Sequence, residues 1–491
     1  MTPGVRGNGE TSLLGSAPIP QKLIQYIWTN WDHPIDGIRY QTKGIFENVL
    51  KLHVMARGAV DDQQEGDPFL LGLLHSLAAV DWRVRGKYMP LACLVPHLGA
   101  KSILGLYPTM PRELLAVFGD QTLAPYACDL LEKLFADHKN FLMGVDRDAG
   151  GLQHWQVTWI LPLLDVLCSP WASRDQKAYL IEYCVPRLLK CSPESLKFIV
   201  AHLHLDSPLS LDKPGQLGAL VTCLKTARAM GLIKGRSDGS RCSEGLGASL
   251  WQGLVPYTKL REALCHRDSQ VRIDALGLLC NCNKTTEPVS GKELVLLRFF
   301  LCLNLSSASP SFRQQMGAHL KKLFTRLRES SRVHLKQMGK RTLGKESLHA
   351  PKPPSSGNNL LQNYKDFTSW LTDLLFDSLE PGSCYPRRTF ALHTLKLMAQ
   401  IFSSQTKGGQ VPFFEVERVW TPDRLQLLLH RLSDPYESNK VMAFDLLGDL
   451  SQETLQLLDE GALCRLHEEA ILLAASNKPH NCETASFLLR L

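Results

Sequence analysis

The chain has 491 residues, 44% hydrophobic and 21% charged, with a formal net charge of +7. This composition excludes a disordered chain. The length exceeds one ordinary compact core, a limit that a stacked-repeat protein escapes because its core grows linearly. Fourteen cysteines are scattered singly through apolar stretches such as those of Cys128, Cys168, Cys184, Cys223 and Cys302. That distribution points to reduced, buried thiols in a cytosolic protein and not to a disulfide scaffold.

Residues 1–18 contain no apolar signal core and read as a flexible leader. Residues 19–233 follow with helical periodicity. In one stripe Tyr126, Leu130, Leu131, Leu134 and Phe135 share a face that Asp129, Glu132, Lys133 and Asp137 avoid. Ser-Pro turns separate WQVTWILPLLDVLCSPW, SRDQKAYLIEYCVPRLLK and SPESLKFIVAHL, which read as successive helices. Residues 234–249, rich in Gly and Ser, are expected to be a mobile loop. Helical repeats are expected again over 250–338, then a basic, Pro-bearing loop over 339–359. A last block of repeats covers 360–491 and is expected to be truncated at its C-terminus, with an apolar face left open. No sustained period-two alternation marks a sheet domain, and Val411 to Val419 reads as a loop or a helix start. Leu294 to Leu305 is the longest apolar run, contains Arg298, and is too short to span a membrane.

One local pattern recurs: a polar turn, then a cation, then a small or apolar residue as a helix opens. Its copies carry Arg39, Arg85, Arg272, Arg313, Arg388 and Lys440. Arg39 and Arg85 are 46 positions apart, and Arg272 and Arg313 are 41 apart. A period of roughly 40–47 residues marks HEAT or armadillo units, so the expected fold is an all-α solenoid of stacked helical hairpins. These cations are expected to form a ladder, each reaching a carboxylate or carbonyl of the next repeat. The other reading is contact with RNA.

Positive charge is concentrated in residues 321–352. Lys321, Lys322, Arg326, Arg328, Arg332, Lys336, Lys340, Arg341, Lys345 and Lys352 face only Glu329 and Glu346 there. That local excess is larger than the net charge of the whole chain, so the remainder is near neutral. The stretch reads either as a phosphate-binding footprint or as a solvated basic helix and linker. Phe324 is its one aromatic ring, so base stacking is not indicated.

Motifs for chemistry fail on context. Leu98-Gly99-Ala100-Lys101-Ser102 lacks the spacing of a phosphate loop and a preceding strand. Glu244-Gly245-Leu246-Gly247 is a lone glycine pair in a Gly/Ser loop. His202-Leu-His204-Leu-Asp206 does not converge two imidazoles on one helix face. No catalytic, cofactor or metal residue is assigned, and the chain reads as a binding scaffold and not as an enzyme.

Several long strings carry a resemblance. IPQKLIQYIWTNWDHPIDGIRYQTKGIFENVLKLH (19–53), DWRVRGKYMPLACLVPHLGAKSIL (81–104), CVPRLLKCSPESLKFIVAHL (184–203), VRIDALGLLC (271–280), RQQMGAHLKKLFTRLRESS (313–331) and VMAFDLLGDLS (441–451) resemble the thyroid adenoma-associated protein family. The resemblance implies a HEAT-repeat regulatory subunit without catalytic residues. It would bind tRNA and position it for an FtsJ-type partner that 2′-O-methylates the anticodon-loop ribose at position 32. That family is several times longer than this chain, and its Arg-Arg-x-Ser-Ala-Gly-(Ile/Leu)-Pro motif does not occur here. The alternative is a protein-interaction solenoid with no RNA role.

Overall fold

The computed structural model describes residues 18–57, 67–145, 149–203, 215–233, 249–343, 357–402, 411–414, 416–458 and 460–490. The expected leader up to residue 17, residues 234–248 of the first expected loop and 344–356 of the second lie outside them. At its edges the second expected loop is helical. The helix Pro310–Leu343 runs into it, and Gly357–Asp377 begins within it. The chain divides into two compact units, Met1–Ala227 and Arg228–Leu491.

Both units are built from helical hairpins whose second helices stack on one another, the arrangement of an α-solenoid. In the first unit Asp36–Arg57 packs on Tyr88–Leu106, which packs on Ala124–Val145, which packs on Val185–Cys191. In the second unit Ser269–Cys280, Pro310–Leu343, Tyr385–Phe402 and Glu437–Gly448 stack in turn, and Tyr257–Leu264, Gly291–Asn304 and Gly357–Asp377 stack beside them. The cause is the apolar stripe. Leu320, Leu323, Phe324 and Leu327 repeat at three and four residues and are fully buried. Where a helix must approach its neighbour closely, glycine stands. The imidazole of His319 lies 2.9 Å from where a Cβ of Gly277 would be, and that of His393 lies 2.8 Å from the same point on Gly317.

Helix starts follow local chemistry. Asp268 caps Ser269–Cys280 by accepting from the Gln270 amide, and Ser290 with Glu293 forms a capping box on Gly291–Asn304. The segment read as phosphate-loop-like, around Gly99, lies inside Tyr88–Leu106, which kinks at Gly99 (φ 75°). The Ala100 amide exposed by that break donates to the Asp137 carboxylate at 2.6 Å. A protein anion therefore occupies the restarted helix end.

By length and composition, Arg85–Leu106 is apolar enough to cross a membrane, although it holds no long uninterrupted apolar run. Its apolar side chains, among them Leu91, Leu94, Val95 and Ile103, are buried in the first unit, which accounts for them as core. A two-residue hairpin, Ser249–Leu250 with Val255–Pro256, is the strand pairing among the described residues. Its turn holds Trp251 at φ 51° and Gln252 at φ 64°, a conformation costly for side chains of that size.

The turn cations act first on their own turns. Arg272 Nη1 donates to the carbonyls of His266 (2.6 Å) and Arg267 (3.1 Å). Arg313 Nη1 donates to Ser307 and Ala308, both at 2.8 Å. Arg39 does the same to His33 and Pro34, and Arg388 to Ser383. One guanidinium thus satisfies carbonyls of the turn between two helices, which have no helical donor. The rest of each group reaches a neighbouring hairpin. Arg39 Nη2 meets Tyr126 Oη at 3.4 Å. Arg272 Nε donates to Asn304 Oδ1 at 3.0 Å and lies over the Phe312 ring. Arg313 lies over Tyr385, and Arg388 pairs with Asp434 at 2.7 Å. Lys440 reaches forward to Glu483 at 2.9 Å.

Arg85 departs from this pattern. It pairs backward with Asp32 at 2.9 Å, while buried Lys87 donates to the Val80 carbonyl and sits over the Trp82 ring. Arg424 is a further copy that the sequence pattern missed. It caps Arg418 and Val419 and pairs with Asp373.

Candidate nucleic-acid interface

The cations singled out in 321–352 lie mainly on the helix Pro310–Leu343 of the second unit. Helical spacing divides them between two environments. Lys321, Lys322 and Lys336 are exposed. Arg328 and Arg332 are half-buried on the same side, 21% and 22% exposed, and converge on Glu329 at 2.9 and 3.2 Å. Arg328 also reaches the Ile401 carbonyl at 3.3 Å. Lys340 and Arg341 fall in the last turn of the helix, and their side chains, with Lys345 and Lys352, lie outside the described residues.

Arg326 is a correction. It is 1% exposed and cannot meet a phosphate at the surface. Its guanidinium donates to the carbonyls of Glu287 (2.8 Å), Leu279 (3.0 Å) and Pro288 (2.8 Å). It stands beside Arg228, Glu287 and Glu293 in a buried charged cluster. Arg228 pairs with Glu293 at 2.6 Å, and Glu287 lies 3.7 Å from Arg228 and 3.8 Å from Arg326. Trp251 Nε1 donates to the same Glu293 oxygen at 3.3 Å, and its ring lies 4.8 Å from Arg228. Burial by itself would raise the Glu293 carboxyl, but Arg228 and Arg326 overcome it and hold it at about 2. Two guanidinium groups and two carboxylates balance in one largely buried site, which is the condition under which such charges are tolerated inside.

The surface left for a ligand is a row of exposed ammonium groups on one helix side, with Arg328 and Arg332 shared on Glu329. Lysine is suited to a phosphate backbone as a mobile point charge, without demanding a fixed geometry. From Lys321 to Lys336 the row covers about 15 residue steps, roughly 22 Å at roughly 1.5 Å per residue, enough for several consecutive phosphates. The arrangement offers position and charge and no base-reading geometry.

Stacked helical hairpins in both units define a helical-repeat protein. The sequence profile described as "Trm732, TPR repeats" matches residues 155–441, and the chain belongs to that family. The TPR description and the HEAT- or armadillo-like spacing both denote stacked helical hairpins, the α-solenoid expected. Among its relatives, the dog (Canis lupus familiaris) tRNA (32-2′-O)-methyltransferase regulator THADA is 39% identical over 98% of this chain. The chicken (Gallus gallus) protein of the same name is 40% identical over 98%. The fission yeast (Schizosaccharomyces pombe) tRNA (32-2′-O)-methyltransferase regulator trm732 is 20% identical over 91%. The chain spans 24% of the length of the dog and chicken proteins and 28% of the yeast one.

Proposed function

We propose that this chain is the tRNA-holding section of a non-catalytic regulator of tRNA ribose methylation. In this reading an FtsJ-type 2′-O-methyltransferase supplies the methyl-donor site and the chemistry, and the target is the anticodon-loop ribose at position 32. The repeat scaffold holds the folded tRNA so that this ribose meets the partner's active site. Such fixing converts a search into an encounter at high effective concentration. The regulator role is supported by what the relatives are named for. The tRNA-holding role is supported by one observation, the row of Lys321, Lys322 and Lys336 exposed along one helix. Recognition by phosphate and shape suits a folded RNA whose deep groove hides its base edges. A cytosolic setting fits the scattered free thiols.

The test is reconstitution. This chain, or a protein of its relatives' length that contains it, is mixed with the methyltransferase and tRNA, and 2′-O-methylation at position 32 is read. Stimulation that disappears when Lys321 and Lys322 become Glu supports the proposal. Equal stimulation by the Glu variant removes these residues from tRNA holding. A second reading, a protein-binding scaffold without RNA, is favoured by the near-neutral charge outside residues 321–352. It predicts partner capture with no tRNA retention.

A further inference from the structure

In the first unit, Cys128 on the helix Ala124–Val145 and Cys184 at the end of the π-helical turn Leu180–Cys184 face each other, with sulfur atoms 3.7 Å apart. Both are free thiols and 1% exposed. Arg187, one helical turn beyond Cys184, places its charge beside Cys128. It connects the pair to the surface, because it also binds the exposed carboxylates of Asp129 (3.3 Å) and Glu132 (3.1 Å). The contact between the two sulfurs, either of which can donate, and the nearby Arg187 charge lower the Cys128 thiol, while the same contact and burial raise Cys184. The Arg187 charge beside Cys128 makes it the sulfur more easily ionised. π-helical turns are rare and concentrate where backbone must accommodate function.

We propose that Cys128 and Cys184 form a reversible oxidation site, with Cys128 as the sulfur oxidised first and Cys184 as the resolving thiol. A hydroperoxide is the oxidant. The Cys128 thiolate attacks one peroxide oxygen, the O–O bond breaks, and hydroxide (or the corresponding alkoxide) leaves. Sulfur is oxidised by two electrons to the sulfenic acid, and the peroxide is reduced. The Cys184 sulfur then attacks the sulfenic sulfur. The S–O bond breaks, and the hydroxyl leaves with the thiol proton as water. Closing the gap to a bond of about 2.0 Å needs a shift of under 2 Å, taken up at the π-helical turn. The product ties two consecutively packed segments of the first unit together.

The experiment uses the intact chain, treated with hydrogen peroxide, alkylated with iodoacetamide without reductant, digested and analysed by mass spectrometry. The expected result is a Cys128 peptide joined to a Cys184 peptide, two hydrogens lighter than their sum and separated by dithiothreitol. In Cys184→Ser a dimedone adduct should collect on Cys128, whereas Cys128→Ser should leave Cys184 alkylated. Digestion of the unsubstituted chain decides the matter even if a variant fails to fold. Full alkylation of both thiols while exposed Cys265 or Cys302 is oxidised would overturn the proposal. So would either sulfur paired with a different cysteine.

Discussion

Arg228 Nη2 lies 2.6 Å from Glu293 Oε1, and both side chains are 1% exposed. Glu293 also closes the capping box with Ser290. One carboxylate thus pairs with Arg228, lies 3.9 Å from Arg326 and starts a helix. Replacing Glu293 by Gln keeps the shape and leaves Arg228 and Arg326 facing each other with less compensation. The expected loss is about 3–5 kcal/mol of stability, read as a fall in the chemical denaturation midpoint. A loss below about 1 kcal/mol would show that the cluster is relaxed by water.

Acid should weaken the two units in different windows. Burial and the neighbouring His154 hold His138 at about 4, below its ordinary 6.5, and its Nδ1 accepts from Trp159 Nε1 at 3.0 Å. A histidine with a depressed folded pKa favours folding above its unfolded value. That contribution is lost as pH falls from about 6.5 towards about 4. Glu293, at about 2 against an ordinary 4.5, contributes stability that is complete above about 4.5 and lost as pH falls through about 2. Unfolding followed at Trp155 and Trp159 should respond in the first window. The second should disappear in Glu293→Gln.

The turn cations should differ in cost. Arg388 faces Asp434, whose side chain is 0% exposed, so Arg388→Ala strands a buried carboxylate and should cost about 3 kcal/mol. Arg272 mainly serves backbone carbonyls and Asn304, so Arg272→Ala should cost about 1–2 kcal/mol. Thermal denaturation of both variants checks the order. An equal or reversed order would mean that Asp434 finds compensation in Arg431, 3.8 Å away.

Much of the fold was legible because its causes are local. Asp268 before an apolar run starts a helix, and Leu320, Leu323 and Leu327 at helical spacing define a buried face. The position of the turn cations was also legible, but not their first partners, since carbonyls five and six residues back carry no sequence signal. Arg424 was missed because its turn, Trp420-Thr421-Pro422, differs from the other copies. Within the basic stretch, the sequence separates cation from anion but not inside from outside. Arg326 owes its burial to Glu287 and Glu293, more than thirty residues away. One sign was available: at 100° per residue, Arg326 points about 40° from Ser330 and about 60° from Leu323, on the flank of the apolar stripe. The pairing of Cys128 with Cys184 bridges two hairpins and has no local signature.

Substitutions within the basic helix should separate surface charge from core charge. Arg326→Met should lower stability yet leave the salt dependence of tRNA binding by the folded protein unchanged, because Arg326 is buried. Equilibrium unfolding paired with filter binding reads both. A changed salt slope in the folded variant would place Arg326 at the RNA after all.

The most direct measurement is the equilibrium affinity of the chain for tRNA as a function of salt, with and without Lys321→Glu and Lys322→Glu together. Removing one phosphate-bound cation should reduce the slope of log affinity against log salt by about 0.7–1. The account predicts weaker binding and a slope reduced by about 2 in the double variant. Identical affinity and slope in the two proteins would contradict it.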